Sequence, residues 1–96
     1  MLKELDPLLH SQLRLAIVSI LMSVEEADFV YIRKKTDSTA GNLSVQLEKL
    51  SAAEYISTKR IIEGKKTRTV CRMTDKGRNA FEKYVDALKD YLNIKK

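Results

Sequence analysis

A chain of 96 residues, 44% hydrophobic and 32% charged, is long enough for one packed domain and too apolar to stay disordered. Its net charge of +5 and pI near 9.4 favour an anionic partner, nucleic acid before a membrane, since no basic amphipathic helix with a bulky aromatic face appears. One cysteine, Cys71, and one histidine, His10, exclude an internal disulfide and a cluster of metal ligands, and no apolar run nears the roughly 20 residues of a membrane span.

The start, MLKELDPLL, carries acidic residues and no small-residue cleavage site, so it is not read as a signal peptide and a cytoplasmic location is expected. Residues 6–24 then read as the first helix. Asp6 suits the N-cap, and Pro7 the first helical position, where a missing N–H costs nothing. Leu9, Leu13, Ala16, Ile17, Ile20 and Val24 make an apolar face that Leu15 and Leu21 widen, broad enough to serve both a core and a second subunit. His10 is expected to be a partly buried polar residue at the edge of this helix.

Asp28 caps a second, short helix over 29–35, with Phe29 and Ile32 inward. Thr36 and Asp37 are turn formers. The stretch TDSTAGNLSVQLEKLSAAE follows, with Ser38 as N-cap of a helix over 38–53. Ala40, Leu43, Leu47 and Leu50 form its inward stripe. Its outer side is small and polar, with Lys49 the one cation, as suits a helix that lies closely against another surface.

After this helix the period changes from helical to alternating. YISTKRII, residues 55–62, and TRTVCRM, residues 67–73, are rich in β-branched residues and read as a hairpin turning at 63–66. Thr69, Cys71 and Met73 share one face; Arg68, Val70 and Arg72 share the other. Residues 59–72 hold six cations against Glu63 alone, a local excess equal to that of the whole chain. Thr74 or Asp75 opens the last helix, expected over 75–93, whose stripe of Phe81, Tyr84, Val85, Leu88, Tyr91 and Leu92 keeps strict helical spacing. Such a face either returns to the core or pairs with a copy of itself, and Ile94-Lys95-Lys96 is expected to fray.

The order of helix, short helix, turn, helix, hairpin and helix is the layout in which one helix enters a DNA major groove and a basic hairpin reaches phosphates or an adjacent groove. DPLLHSQLRLAIVSIL, AGNLSVQLEKL and MTDKGRNAF, with Gly41–Ser44 and the Thr74-x-x-Gly77 junction as the most specific pieces, resemble the small winged-helix transcriptional regulators of bacteria in the MarR, ArsR and PadR grouping. The resemblance spans about four-fifths of the chain and is nearest to members that are little more than the DNA-binding domain. It implies an α+β, mainly α, winged helix-turn-helix with a short β-stub before the second helix. It also implies one domain over 1–96 and a homodimer that binds duplex DNA and regulates transcription, located on the nucleoid when bound.

By position, the resemblance assigns base reading to Ser38, Thr39, Asn42, Val45, Gln46 and Lys49. Asn42 or Gln46 is suited to adenine and Val45 to a thymine methyl. Lys65, Lys66 and Arg68 are the expected wing contacts, and Leu9, Leu13, Tyr84, Leu88, Tyr91 and Leu92 the expected dimer surface. One departure stands out. Such proteins usually place glycine before the tyrosine that opens the first wing strand, and here Glu54 holds that position. Either Glu54 takes a left-handed conformation or the helix ends differently and tilts the wing.

No nucleophile–base spacing or phosphate-cradling glycine loop suggests an enzyme, no cofactor or metal is implied, and a small-molecule effector is left open. Cys71 is expected to be a structural, buried thiol. The alternative to a DNA-binding regulator is a winged-helix module that docks a protein, a reading kept open by the nearly cation-free recognition helix.

Overall fold

The computed structural model describes residues 2–93, so the expected fraying at 94–96 lies outside the described residues. Seven elements follow in order: α1 (Gln12–Met22), β1 (Ala27–Asp28), α2 (Phe29–Thr36), α3 (Ala40–Ala52), β2 (Ile56–Glu63), β3 (Lys66–Met73) and α4 (Asp75–Leu92). The mainly helical winged architecture and the short β1 before α2 are as expected.

The first helix is shorter than its apolar pattern suggests. Asp6 does act as a cap, its Oδ1 accepting from Leu8 N at 2.9 Å, and its carbonyl accepts from Leu9 and His10 N–H. That makes one isolated turn, because Ser11 is extended (φ −150°, ψ 130°) and α1 restarts at Gln12. The break drops Leu9 fully into the core and leaves the Leu8 carbonyl outside any helical ladder, where Arg14 Nε donates to it at 2.6 Å.

The core is a helical layer closed against the sheet. Ile17, Val18 and Leu21 of α1, Ile32 of α2, and Leu43 and Leu50 of α3 are fully buried, with Ile56 and Cys71 from the sheet beneath them. Each such side chain contributes roughly 1.5–3 kcal/mol of transfer free energy. The sheet is antiparallel in the order β1-β3-β2. Ala27 and Asp28 pair with Cys71 and Val70, and β2 pairs with β3 from Ile56↔Met73 to Glu63↔Lys66.

The hairpin loop is tighter than expected. It is Gly64-Lys65 alone, with Gly64 at φ +62° supplying the left-handed first position that a two-residue turn of this kind requires. The alternation in β3 also needs amending. Cys71 and Met73 face the helices as expected, but Val70 on the opposite face is buried too, sunk in a hollow with Lys59, Ile61 and Arg72 at the centre of the three strands.

Candidate nucleic-acid interface

The α2–α3 turn fixes how α3 is presented. Asp28 Oδ1 accepts from Tyr31 N at 2.8 Å and starts α2, and Asp37 ends it in a left-handed conformation (φ 52°). The N-cap of α3 is Thr39, not Ser38: the Thr39 hydroxyl accepts from Asn42 N at 3.1 Å. Ser38 instead meets the Thr36 hydroxyl at 2.8 Å, while its carbonyl accepts from Arg33 Nε at 3.2 Å. Helix α3 therefore begins at Ala40, and Ala40, expected in the inward stripe, is exposed.

With Leu43, Leu47 and Leu50 buried, the expected site residues Asn42, Val45 and Lys49 of α3 are exposed and Gln46 is half-buried beside them, with Gly41, Ser44 and Glu48 also exposed on the helix. Arg14 Nη1 donates to Gln46 Oε1 at 2.6 Å, and Gln46 Nε2 donates to Asn42 Oδ1 at 3.0 Å. Arg14 is not among the expected site residues. Its signal is present in the sequence, however: it is the one charged residue of α1, a helix that is otherwise largely apolar. Three more cations, Arg33, Lys34 and Lys35, are exposed in the last turn of α2, immediately before the turn into α3, and the helical pattern alone gives them no role. Lys35 Nζ lies 5.7 Å from the centre of the Tyr31 ring.

The wing divides its cations into two sets. Lys65 and Lys66 at the tip, and Lys59 and Arg60 on β2, are exposed, and among the described residues none has a carboxylate within 4 Å. Arg68, expected beside Lys65 and Lys66, is held between Asp28 (3.6 Å) and Glu63 (3.4 Å). Arg72 likewise meets Glu25 (2.8 Å) and Glu26 (3.4 Å). These exposed pairs contribute little stability. Their effect is to offset the positive charge on the β1 side of the sheet and leave it unopposed at the tip.

The exit of α3 takes the first of the two routes open to it. Glu54 is left-handed (φ 63°), Tyr55 N donates to Leu50 O at 3.0 Å and Glu54 N donates to Ser51 O at 2.9 Å. This is the paired closure usually made with glycine at that position. Thr74 then locks the exit to α4. Its hydroxyl lies 2.6 Å from Glu54 O and 3.0 Å from Tyr55 O, its N–H donates to Tyr55 O at 3.1 Å, and Gly77 N donates to its Oγ1 at 3.0 Å.

The residues expected at a dimer surface separate. Leu9 and Tyr84 are buried inside the single chain and have no surface to offer a second copy, and Leu13 packs on the core. Leu88, Tyr91 and Leu92 at the far end of α4 are exposed, Leu92 by 75%. His10 is exposed rather than half-buried, with Nδ1 3.0 Å from the Tyr84 hydroxyl.

Two side chains have displaced pKa values. Burial and the hydrogen bond from its hydroxyl to Asp6 Oδ2 (2.5 Å) push Tyr55 up to about 12. Burial and the neighbouring Asp28 charge push Cys71 up to about 11, away from the thiolate that redox chemistry requires. Among the described residues no group of three or more His, Cys, Asp or Glu is placed to hold a metal ion, and no helix is long and apolar enough to cross a membrane.

Residues 13–92 match the family model described as a winged helix DNA-binding domain. An uncharacterized protein of Methanocaldococcus jannaschii is 33% identical over 76 residues, 79% of this chain and 83% of that protein. Among solved structures, a transcriptional regulator homologue from Pyrococcus horikoshii superposes with a TM-score of 0.83 at 29% identity, covering 90% of this chain and 85% of that one. Bacillus subtilis PadR in complex with operator DNA shares the fold at a TM-score of 0.69 and 19% identity, over 78% of this chain and 47% of PadR. With residues 13–92 matched by the family model and the same fold in a transcriptional regulator homologue, the chain belongs to the winged helix DNA-binding domain family.

Proposed function

We propose that the chain is a sequence-specific regulator of transcription, one domain over 1–96 that binds duplex DNA as a homodimer. Helix α3 lies in the major groove and the wing tip lies on flanking phosphates or in the minor groove. The observation that carries this reading is the division of charge on the wing. Among the described residues Lys65 and Lys66 at the tip are unopposed, whereas Arg68 and Arg72, beside β1, are paired with carboxylates. A hairpin basic only for solubility has no need of that division. Unopposed cations release counterions from the backbone and supply affinity, while Asn42, Val45, Gln46 and Lys49 supply sequence choice. Ser38 and Thr39 act by shaping the turn. Arg33, Lys34 and Lys35 extend the cationic surface to the other side of α3. Bacillus subtilis PadR, which shares the fold, is solved in complex with operator DNA, and this is in line with duplex DNA as the partner here.

The test is duplex affinity as a function of salt. Lys65→Ala with Lys66→Ala should flatten the slope of log K against log salt by about 0.9 for each phosphate that is no longer neutralised. Arg68→Ala, whose partner charges are internal, should leave the slope nearly unchanged. No duplex binding at low salt would overturn the reading and favour the protein-docking alternative. For assembly, the exposed Leu88, Tyr91 and Leu92 are the proposed seam. A solution mass of about two chains is expected, falling to one when Leu88 and Tyr91 become serine. An unchanged dimer would move the seam away from α4.

A further inference from the structure

Among the described residues the most exposed large apolar side chain is Ile62, at 77%, close to the tip of the wing. The strand register fixes its side. Side chains alternate along a strand. Thr58 and Thr69 line a hollow together with Leu47, Glu48 and Ser51 of α3, whereas Ser57, Lys59, Ile61, Val70 and Arg72 line another on the opposite face. Arg60 and Ile62 continue the alternation from Thr58, so both belong to the α3 side of the ribbon, paired with Thr69 and Thr67. Glu48 stands at the root of that side. Beyond it the ribbon presents a guanidinium, two hydroxyls and an isoleucine, and among the described residues Arg60 has no carboxylate within 4 Å. Arg68, on the opposite face, is instead held by Asp28 and Glu63. An isoleucine this open contributes almost no burial to the fold, and for strand preference a threonine such as the Thr67 opposite it serves as well.

We propose that Ile62 is an apolar minor-groove contact, set beside Arg60, that makes the wing favour A·T over G·C pairs in the sequence flanking the bases α3 reads. The inference rests on the DNA-binding reading above, with α3 in the major groove. A ribbon that projects past α3 on the same side then meets phosphates and the adjacent minor groove. That groove is about 6 Å wide and admits side chains rather than a pair of strands. The charge around Ile62 suits a polyanion, since Arg60 on its own side and Lys65 in the turn are both unopposed among the described residues. In the minor groove an A·T pair shows acceptors only, and a G·C pair adds the amino group of guanine as a donor. Isoleucine offers nothing to accept that donor, and a guanidinium can only donate. A G·C pair beneath this surface therefore loses water from its amino group without a replacement, a cost that an A·T pair does not carry. Phosphate contact alone calls for cations and gives the isoleucine no use.

The experiment is selection from a randomised duplex library with the full chain, followed by titration of the selected site with its flanks rebuilt as A·T, G·C or inosine·cytosine pairs. Inosine·cytosine resembles G·C in the major groove but lacks the amino group in the minor groove. The parent should bind A·T and inosine·cytosine flanks alike and G·C flanks about 5-fold more weakly, the low end of the cost of one mismatched pair. Ile62→Thr keeps a β-branched side chain on an exposed site, and its urea midpoint should match the parent's. It should bring the flank ratio toward one while the preferences at the central positions and the salt slope stay unchanged, because no charge is removed. Ile62→Val should keep the ratio. Equal affinity for all three flanks in the parent would overturn the proposal. So would inosine·cytosine as weak as G·C, which means major-groove reading, or a flank preference that survives in Ile62→Thr. Each of these leaves duplex binding by α3 intact. Absence of any selected site and of duplex binding at low salt would instead remove the DNA-binding reading, and the inference with it.

Discussion

Replacing Gly77 with alanine tests the corner that joins the exit of α3 to α4. A Cβ at Gly77 would sit 2.1 Å from the Tyr55 carbonyl oxygen, 2.9 Å from its carbon and 2.7 Å from Met73 Cε. The methionine methyl can turn away. The carbonyl cannot, because Thr74 N–H donates to it at 3.1 Å and the Thr74 hydroxyl lies at 3.0 Å. Overpacking a rigid site costs about 1–3 kcal/mol. Two displaced hydrogen bonds add about 1 kcal/mol each. Alanine's better helix propensity offsets about 1 kcal/mol of this. The net expectation is a loss of about 2–4 kcal/mol, or a Tm lowered by roughly 10–30 °C in a domain of this size. Urea unfolding followed by circular dichroism measures it, with Gly41→Ala as the counterpart. A Cβ at Gly41 meets nothing within 4 Å, and that variant should gain up to about 1 kcal/mol. A Gly77→Ala midpoint equal to the parent's would refute the argument, since it would mean that the α4–Tyr55 contact yields freely.

Glu54→Gly should stabilise the chain by about 1 kcal/mol, because glycine adopts φ near 63° without the Cβ penalty; an unchanged midpoint would mean the glutamate side chain compensates for the strain. Thr39→Ala should cost about 1 kcal/mol by removing the α3 cap, and Ser38→Ala distinctly less; the reverse order in the same urea experiment would restore Ser38 as the cap. The unfolded chain ionises a thiol near 9.0 and a phenol near 10.0, whereas folding raises Cys71 to about 11 and Tyr55 to about 12. Their neutral forms thus contribute stability that is fully present below pH 9 and lost as the pH rises through 11 and 12. Thermal melts should be level in this respect up to pH 9 and decline above it, and Cys71→Ala should delay the onset of that decline; an identical onset in the variant would show that the thiol takes no part.

What could be read from the sequence was set by periodicity. The inward stripe Leu43, Leu47 and Leu50, the alternation that buries Cys71 and Met73, and the first half of the α4 stripe around Tyr84 each reflect a face that leaves water, so pattern and structure agree there, while Leu88, Tyr91 and Leu92 further along α4 stay exposed. What escaped depends on single hydrogen bonds. Nothing in the spacing of α1 distinguishes a continuous helix from 6 onward from one broken at Ser11, since Leu9 is apolar in either case. Ser38 and Thr39 are equally good caps by chemistry, and the choice is made by the Thr36 hydroxyl, which engages Ser38. The site was legible in part for the same reason. Outward positions on α3 follow from its inward ones, but pairing across the fold does not: Arg68 and Arg72 look as free as Lys65 until β1 brings Asp28, Glu25 and Glu26 against them. Leu9 and Tyr84 read as surface stripes until the turn at 7–10 folds back and encloses them.

The Thr74 lock also has a mechanical meaning. Because one threonine holds the last carbonyls after α3 and the first N–H groups of α4, the two helices meet at a stiff elbow rather than a hinge. Helix α4 runs 18 residues from that elbow, about 27 Å at the usual rise, so a tilt of about 5° at the elbow swings its free end by about 2 Å. Leu88, Tyr91 and Leu92 lie at that free end, so a load placed on them would bear on the exit of α3 through a lever with its fulcrum at Tyr55.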